Sequence, residues 1–310
     1  MTLDQIKKTL LLFASAGGFE LQLVRISSAH NATCYANCCV RLTPANALSD
    51  FIKELVRAYI DGKDAKLKKY TSVSEYDGTA EQTIIYSLPS ESQLIETEYR
   101  ALIQSIATPE AEAKVVEFKA DAYVIFGCIE NEDGTEIPVK IFSMQKPVSR
   151  LKNRFGLSND TFKRIDEPVL NMRPAIDVLV VDKEVFFFNM SGENLFKMER
   201  SHKALSAAYA QDIVDCGIIT DDSTFKTIAA SGANPRRFVS FDKNRLEQLK
   251  HIDMRRTMAA KFKISLDDDG FIKTDSKESA EKLIKLLCKK GMVDPFEDKP
   301  VEVSGARTWQ

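Results

Sequence analysis

Apolar side chains at Leu3, Ile6, Leu10 and Phe13 recur every three to four residues, the period of a helix with one face on a core, and Gly17-Gly18 ends the run. The same spacing at Ala47, Phe51, Leu55 and Tyr59, after Pro44 and before Gly62, predicts a second helix. Between the two, ELQLVRI and the CYANCCVRL region read as strands. A polar stretch with four lysines from Lys63 to Lys69 leads into EQTIIYSLP, a strand, and then into a predicted helix from Glu91 to Ile106.

From Asp121 the pattern changes to β. AYVIFGCIE and TEIPVKIFSM, joined through Asn131 to Gly134, predict a hairpin, with Pro138 favouring an edge position. AIDVLVVD and EVFFFNM, separated by Asp182-Lys183, form the clearest strand pair. The unbroken apolar run from Val185 to Phe188 is expected of a strand covered on both faces. Helices follow at Ser191 to Asp215, Ser223 to Ser231 and Asp242 to Met258, then a short hairpin turning at Asp269-Gly270. A last helix starts at the N-cap candidate Ser276 and ends at Lys289-Lys290-Gly291. The fold class that follows is α+β, with mixed sheets and packed helices in two domains. The polar, basic segment QKPVSRLKNRFGLSNDTFKRIDEP places their junction near residue 160, giving an N-terminal α+β domain (1–160) and a C-terminal α/β domain (161–310).

A chain of 310 residues, 44% hydrophobic and 28% charged, excludes disorder, collagen and coiled coil. The longest apolar runs, such as Ala122 to Cys128, fall far short of the roughly 18 to 20 residues that span a bilayer. The start, MTLDQIKK, lacks the features of a secretory signal, so the expected location is the cytoplasm. Cys128, Cys216 and Cys288 stand singly in apolar stretches, which fits reduced thiols better than a disulfide framework.

Candidate chemistry is sparse. His30, Cys34, Cys38 and Cys39 offer four soft ligands, but not in the paired C-x2-C spacing of common zinc sites. Glu117-Phe118-Lys119 supplies the E-x-K of a two-metal nuclease without a partner aspartate on a preceding strand, and Asp177 has no E-x-K in register. There is no G-x-S-x-G, Walker loop, H-E-x-x-H or G-x-G-x-x-G. His202 is expected to be an exposed or half-buried helical residue. Neither a catalytic centre nor a cofactor is expected.

Charge distribution says more. The net charge is only −2, yet Gln145 to Arg164 carries six bases against one acid, and Lys226 to Lys263 ten against three. Such segregation is what a polyanion-binding face requires. The DNA-contact candidates are Lys146, Arg150, Lys152 and Arg154 in the first run, and Arg236, Arg237, Lys243, Arg255 and Arg256 in the second. Phe155 and Phe238 stand beside arginines and could stack on bases. The competing readings are a solvated helix face, a metal-dependent nuclease, and a scaffold without DNA affinity.

The segment RPAIDVLVVDKEVFFFNMSGENLFK, with the closing FKISLDDDGFIKTDSKESAEKLIKLL, resembles the family of the Kiwa anti-phage defence protein KwaB. The resemblance implies a cytoplasmic DNA-binding subunit of a bacterial defence complex. It also implies a homodimer and association with a small multi-spanning membrane protein, KwaA, that recruits it to the inner face of the membrane. It carries over no catalytic motif; Asp177, Phe188 and Asn189 are fold-defining positions. The tail after Gly291 departs from the family pattern.

Overall fold

The structure, a computed structural model, describes residues 1–29, 32–60, 69–76, 84–95, 120–131, 133–144, 148–149, 154–158, 161–165, 169–294 and 299–302. The chain divides into two units, one made of Met1–Thr71 and Glu81–Phe196, the other of Ser72–Ala80 and Lys197–Gln310. Among the described residues no helix is long and apolar enough to cross a membrane.

The first unit begins with α1 (Leu3–Ser15), β1 (Glu20–Ala29), β2 (Ala32–Val40) and α2 (Ala47–Ile60). It continues through β3 (Lys69–Ser72), β4 (Ile84–Pro89), β5 (Ala122–Glu130) and β6 (Glu136–Ser143). The short strands β7 (Val148–Ser149), β8 (Arg154–Ser158), β9 (Thr161–Ile165) and β10 (Val169–Leu170) precede β11 (Val178–Val181) and β12 (Glu184–Phe187). Thr2 caps α1 in a reciprocal box with Gln5, satisfying two amides that would otherwise lack partners. The predicted helix at Glu91 to Ile106 lies largely outside the described residues, which show only turns from Glu91 to Ile95.

Eight strands form one sheet in the order β2-β1-β5-β6-β11-β12-β4-β3, and every neighbouring pair from β2 to β4 is antiparallel. Period-two alternation gives the sheet two apolar faces. Leu21, Leu23, Ile125, Val139, Ile141, Leu179, Val181 and Phe186 form one core with Ile6, Leu10 and Phe13 of α1 and Ile52, Leu55 and Val56 of α2. The alternate positions Val124, Phe142, Val178, Val180, Val185 and Phe187 are buried as well, the double coverage expected of the Val185 to Phe188 run. Phe196 meets both Phe142 and Phe187 edge-on. Gly192 is required at its place, because a Cβ there would collide with Val178 Cγ2.

Two expectations are corrected here. The strand pair β11–β12 does not found a second domain: β11 pairs with β6 and β12 with β4, so it lies inside the first unit's sheet, and the division falls after Phe196 instead of near 160. Pro138 is not on an edge strand, since β6 runs between β5 and β11. The β6–β11 register stops at Val139, one residue inside Pro138, whose carbonyl accepts from Asp182 N at 3.2 Å. Its missing N–H therefore falls beyond the ladder and costs no strand bond.

The second unit is mainly helical and not α/β: α3 (Met198–Asp215), α4 (Asp222–Ala229), α5 (Asn234–Arg237), α6 (Lys243–Leu249), α7 (Ile252–Phe262) and α8 (Lys277–Leu287), followed by the hairpin β13 (Gly291–Asp294) and β14 (Lys299–Glu302). Asp221, Asp242 and Ser276 each accept a hydrogen bond from a backbone amide in the first turn of the helix they cap. The helix expected from Asp242 to Met258 breaks at Lys250-His251, where His251 is extended. Phe225, Phe238, Leu246, Leu249, Leu283, Ile284 and Leu287 build a core of their own. The detour through Ser72–Ala80 joins this unit by its backbone, Ser74 O accepting from Ser240 Oγ at 2.7 Å and from Lys290 Nζ at 3.5 Å.

Candidate nucleic-acid interface

Of the first basic run, Lys146, Arg150 and Lys152 lie outside the described residues. Arg154 begins β8, where its backbone pairs with Ile165.

The second run separates into cations that serve the fold and cations that face water. Arg255, only 8% exposed, is turned inward on α7. Its Nε donates to Gly270 O at 2.7 Å, and one terminal nitrogen donates to Leu249 O and Lys250 O at 2.9 and 3.0 Å. The guanidinium thus satisfies carbonyls at the end of α6 and in the 267–270 turn, and it is withdrawn from the DNA-contact set. Arg237 donates to Asn234 Oδ1 at 2.5 Å, and Asn234 in turn donates to Ile228 O at 2.9 Å. Arg236 lies over the Tyr76 ring, 5.8 Å from its centroid. Lys243 pairs with Asp212 at 3.4 Å and sits over Tyr209, which stacks on Phe241. Phe238 is fully buried in this cluster and cannot stack on a base. Arg256 alone of the five is exposed with no ion pair among the described residues. Lys261 and Lys263, further along α7 and at its C-cap, share that state.

His202 departs from its expected exposure. It is 2% exposed, and neither ring nitrogen has a hydrogen-bond partner. Burial, reinforced by the nearby Arg236 charge and opposed by Glu199, pushes its pKa down to about 4. The signal was present in the spacing Met198, His202, Ser206, which continues one buried stripe of α3.

In the first unit the polar centre is Asp177, 2% exposed. One carboxylate oxygen accepts from Met144 N at 2.6 Å and the other from Asn189 Nδ2 at 3.1 Å, with Arg173 at 3.9 Å. Its backbone carbonyl accepts from both Phe188 N and Asn189 N. Tyr59 OH receives Ile176 N at 2.9 Å, and Tyr123 OH donates to Arg173 O at 2.8 Å. Burial first, and the Asp177 charge after it, raises both phenols, Tyr123 to about 12. This carboxylate holds together the ends of β6, β11 and β12. Lys140, 5% exposed on β6, is pushed by burial to about 8. A lysine between Val139 and Ile141 in a strand covered on both faces was the sequence signal for it.

For the metal readings, His30 and the Glu117-Phe118-Lys119 run lie outside the described residues, and the backbone of Cys34, Cys38 and Cys39 is placed in β2. Among the described residues no three His, Cys, Asp or Glu side chains are gathered to hold an ion. Cys128, Cys216 and Cys288 are free thiols, and burial pushes Cys288 up to about 12.

No curated protein and no solved structure matches this chain. The family described as Kiwa protein KwaB-like does match, over residues 119–291, from just before β5 to the first residue of β13. More than half of the sequence lies in that match, and the chain accordingly belongs to the Kiwa protein KwaB-like family, a component of the Kiwa anti-phage defence system.

Proposed function

We propose that the protein is the DNA-binding effector subunit of the Kiwa complex, holding duplex DNA by its phosphates with little sequence preference. The observation that carries the reading is the group Arg256, Lys261 and Lys263, exposed along α7 and its C-cap and not neutralised by acids among the described residues. Each such cation that meets a phosphate releases condensed counterion, which gives affinity without base reading. Lys146, Arg150, Lys152 and Arg154 extend the interface in this proposal, whereas Arg236, Arg237 and Lys243 act mainly within the helical unit. The protein works as a homodimer with the small multi-spanning membrane protein KwaA, which brings it to the inner face of the membrane; family membership supports this part.

The test is affinity for duplex DNA at several salt concentrations. Arg256→Glu/Lys261→Glu/Lys263→Glu should weaken all sequences alike and flatten the salt dependence by about 0.9 log unit for each phosphate no longer neutralised. Arg150→Glu/Lys152→Glu/Arg154→Glu should do the same. No DNA affinity at low salt would leave the scaffold reading, and cation-dependent plasmid cleavage the nuclease reading.

A further inference from the structure

β2 is the outermost strand of the eight-stranded sheet: β1 covers one edge, and among the described residues no strand pairs with the other. An open edge is a template for a further strand, and chains that stay single blunt it with lysine, proline or a bulge. The nine residues ATCYANCCV contain no charge, no proline and no glycine, and their register with β1 runs without a bulge from Ala29↔Ala32 to Leu21↔Val40. The opposite edge of the sheet, β3, is only the four residues KYTS and carries Lys69.

The ladder fixes which backbone groups face outward. Val24 O accepts from Asp121 N on the β5 side of β1, so the Val24↔Asn37 pair is not hydrogen-bonded, and by alternation Ala29 and Ala32 exchange both hydrogen bonds. By alternation Cys34, Ala36, Cys38 and Val40 also direct their amides and carbonyls to β1, while Thr33, Tyr35, Asn37 and Cys39 direct theirs away from it.

We infer that β2 is a self-pairing edge, on which a second copy of this chain lays its own β2 antiparallel about Ala36, fusing two sheets into one. The inference rests on the dimer proposed above and gives it a surface. The four outward residues are arranged symmetrically about Ala36, so Thr33 meets Cys39 and Tyr35 meets Asn37 of the second copy. Every outward group then finds an outward group, for about eight backbone hydrogen bonds between copies. A two-fold interface requires such self-complementarity. An uncharged strand also meets no like-charge repulsion when laid against itself. A slip of one residue would set outward groups against inward ones, and a slip of two would leave outward groups unpaired at the ends. In the central register Cys34 stands opposite Cys38 of the second copy as a non-hydrogen-bonded pair, with Cα atoms about 4.5 Å apart. Disulfides span that distance.

The full chain is weighed by light scattering and oxidised with copper–phenanthroline. The expected result is a dimer that becomes covalent, still does so in Cys39→Ser, and fails to in Cys34→Ser and in Cys38→Ser. Asn37→Pro removes an outward donor while leaving the β1 ladder intact, and should halve the mass. Because a proline can disturb folding, Tyr35→Lys/Asn37→Lys and Tyr35→Glu/Asn37→Glu form a second test: each alone should be monomeric, and their mixture should restore a dimer. A monomeric parent overturns both the dimer and its surface. A dimer that persists in Asn37→Pro and in the lysine variant, or crosslinks as well in Cys34→Ser, leaves the dimer standing and overturns the assignment to β2.

Discussion

Asn189 reaches back across the β11–β12 hairpin to donate its side-chain amide to Asp177 at 3.1 Å, while its own backbone N–H donates to the Asp177 carbonyl at 3.2 Å. Two residues at the open end of the strand pair are thereby clamped to each other twice. Met144 N adds a third donor from the end of β6. Asp177→Ala should destabilise the protein by roughly 2 to 4 kcal/mol, because part-buried hydrogen bonds to a charged acceptor are lost. Asn189→Ala should cost less, and the double variant less than the sum of the two. Urea unfolding of the three variants measures the coupling; strict additivity would mean that the clamp does not act as one unit.

Phe188 packs against the face of the sheet that carries α2, and meets Tyr59 edge-to-face at 5.4 Å. Truncation to alanine leaves a cavity that the surrounding strands cannot collapse into, at a cost of about 3 to 5 kcal/mol. A drop in unfolding midpoint of only a degree or two would contradict this packing.

Arg255 and Arg256 are neighbours in sequence with opposite duties. Arg255→Lys should lower stability by about 1 to 3 kcal/mol, since one ammonium cannot reproduce a planar fork on three carbonyls. Arg256→Glu should leave the thermal midpoint within about a degree of the parent and act only on DNA affinity. Calorimetry beside a binding titration separates the two, and equal effects of both substitutions in either assay would remove the distinction.

His202 makes stability depend on acid. Its pKa in the fold is about 4 against an ordinary 6.5, so above pH 6.5 the imidazole is neutral in both folded and unfolded chains. As pH falls below 6.5 the unfolded chain takes the proton first, and stability is lost progressively until about pH 4, where the folded chain is protonated too. The loss amounts to roughly 2 to 4 kcal/mol. Denaturant melts of the parent and His202→Leu at pH 7.5 and 4.5 should show the smaller decline in the variant; parallel declines would show that His202 does not titrate in this way.

What was legible in the sequence was what is decided locally. α1, α2 and α8 follow from their apolar spacing and their caps, and the β5–β6 and β11–β12 hairpins from short turns between strand-sized apolar runs. What was not legible is decided at long range. Nothing near Val178 to Phe187 says that β6 and β4 flank the hairpin, so the local pattern around residue 160 carries no sign that the first unit runs on to Phe196. Along the basic segment, composition counts Arg255 and Arg256 alike, although about 100° of helical rotation turns one to carbonyls and the other to water. Asp177 reads locally as a strand aspartate, but its role requires the ends of β6 and β12, distant in sequence, to converge on it.

The strand order also sets a timetable for synthesis. The half-sheet β2-β1-β5-β6 has all its members once Ser143 has emerged from the ribosome, and each strand in it has a neighbour made nearby or earlier. β3 and β4 are finished much sooner, at Pro89, yet they join the sheet only through β12, which ends at Phe187. Throughout the translation of the intervening hundred or so codons, Ile84, Ile85, Tyr86 and Leu88 wait without the strand that will bury them. A translation rate of about 5 to 20 residues per second makes that wait several seconds long. During it the nascent chain presents an apolar strand that chaperones or neighbouring nascent chains can seize.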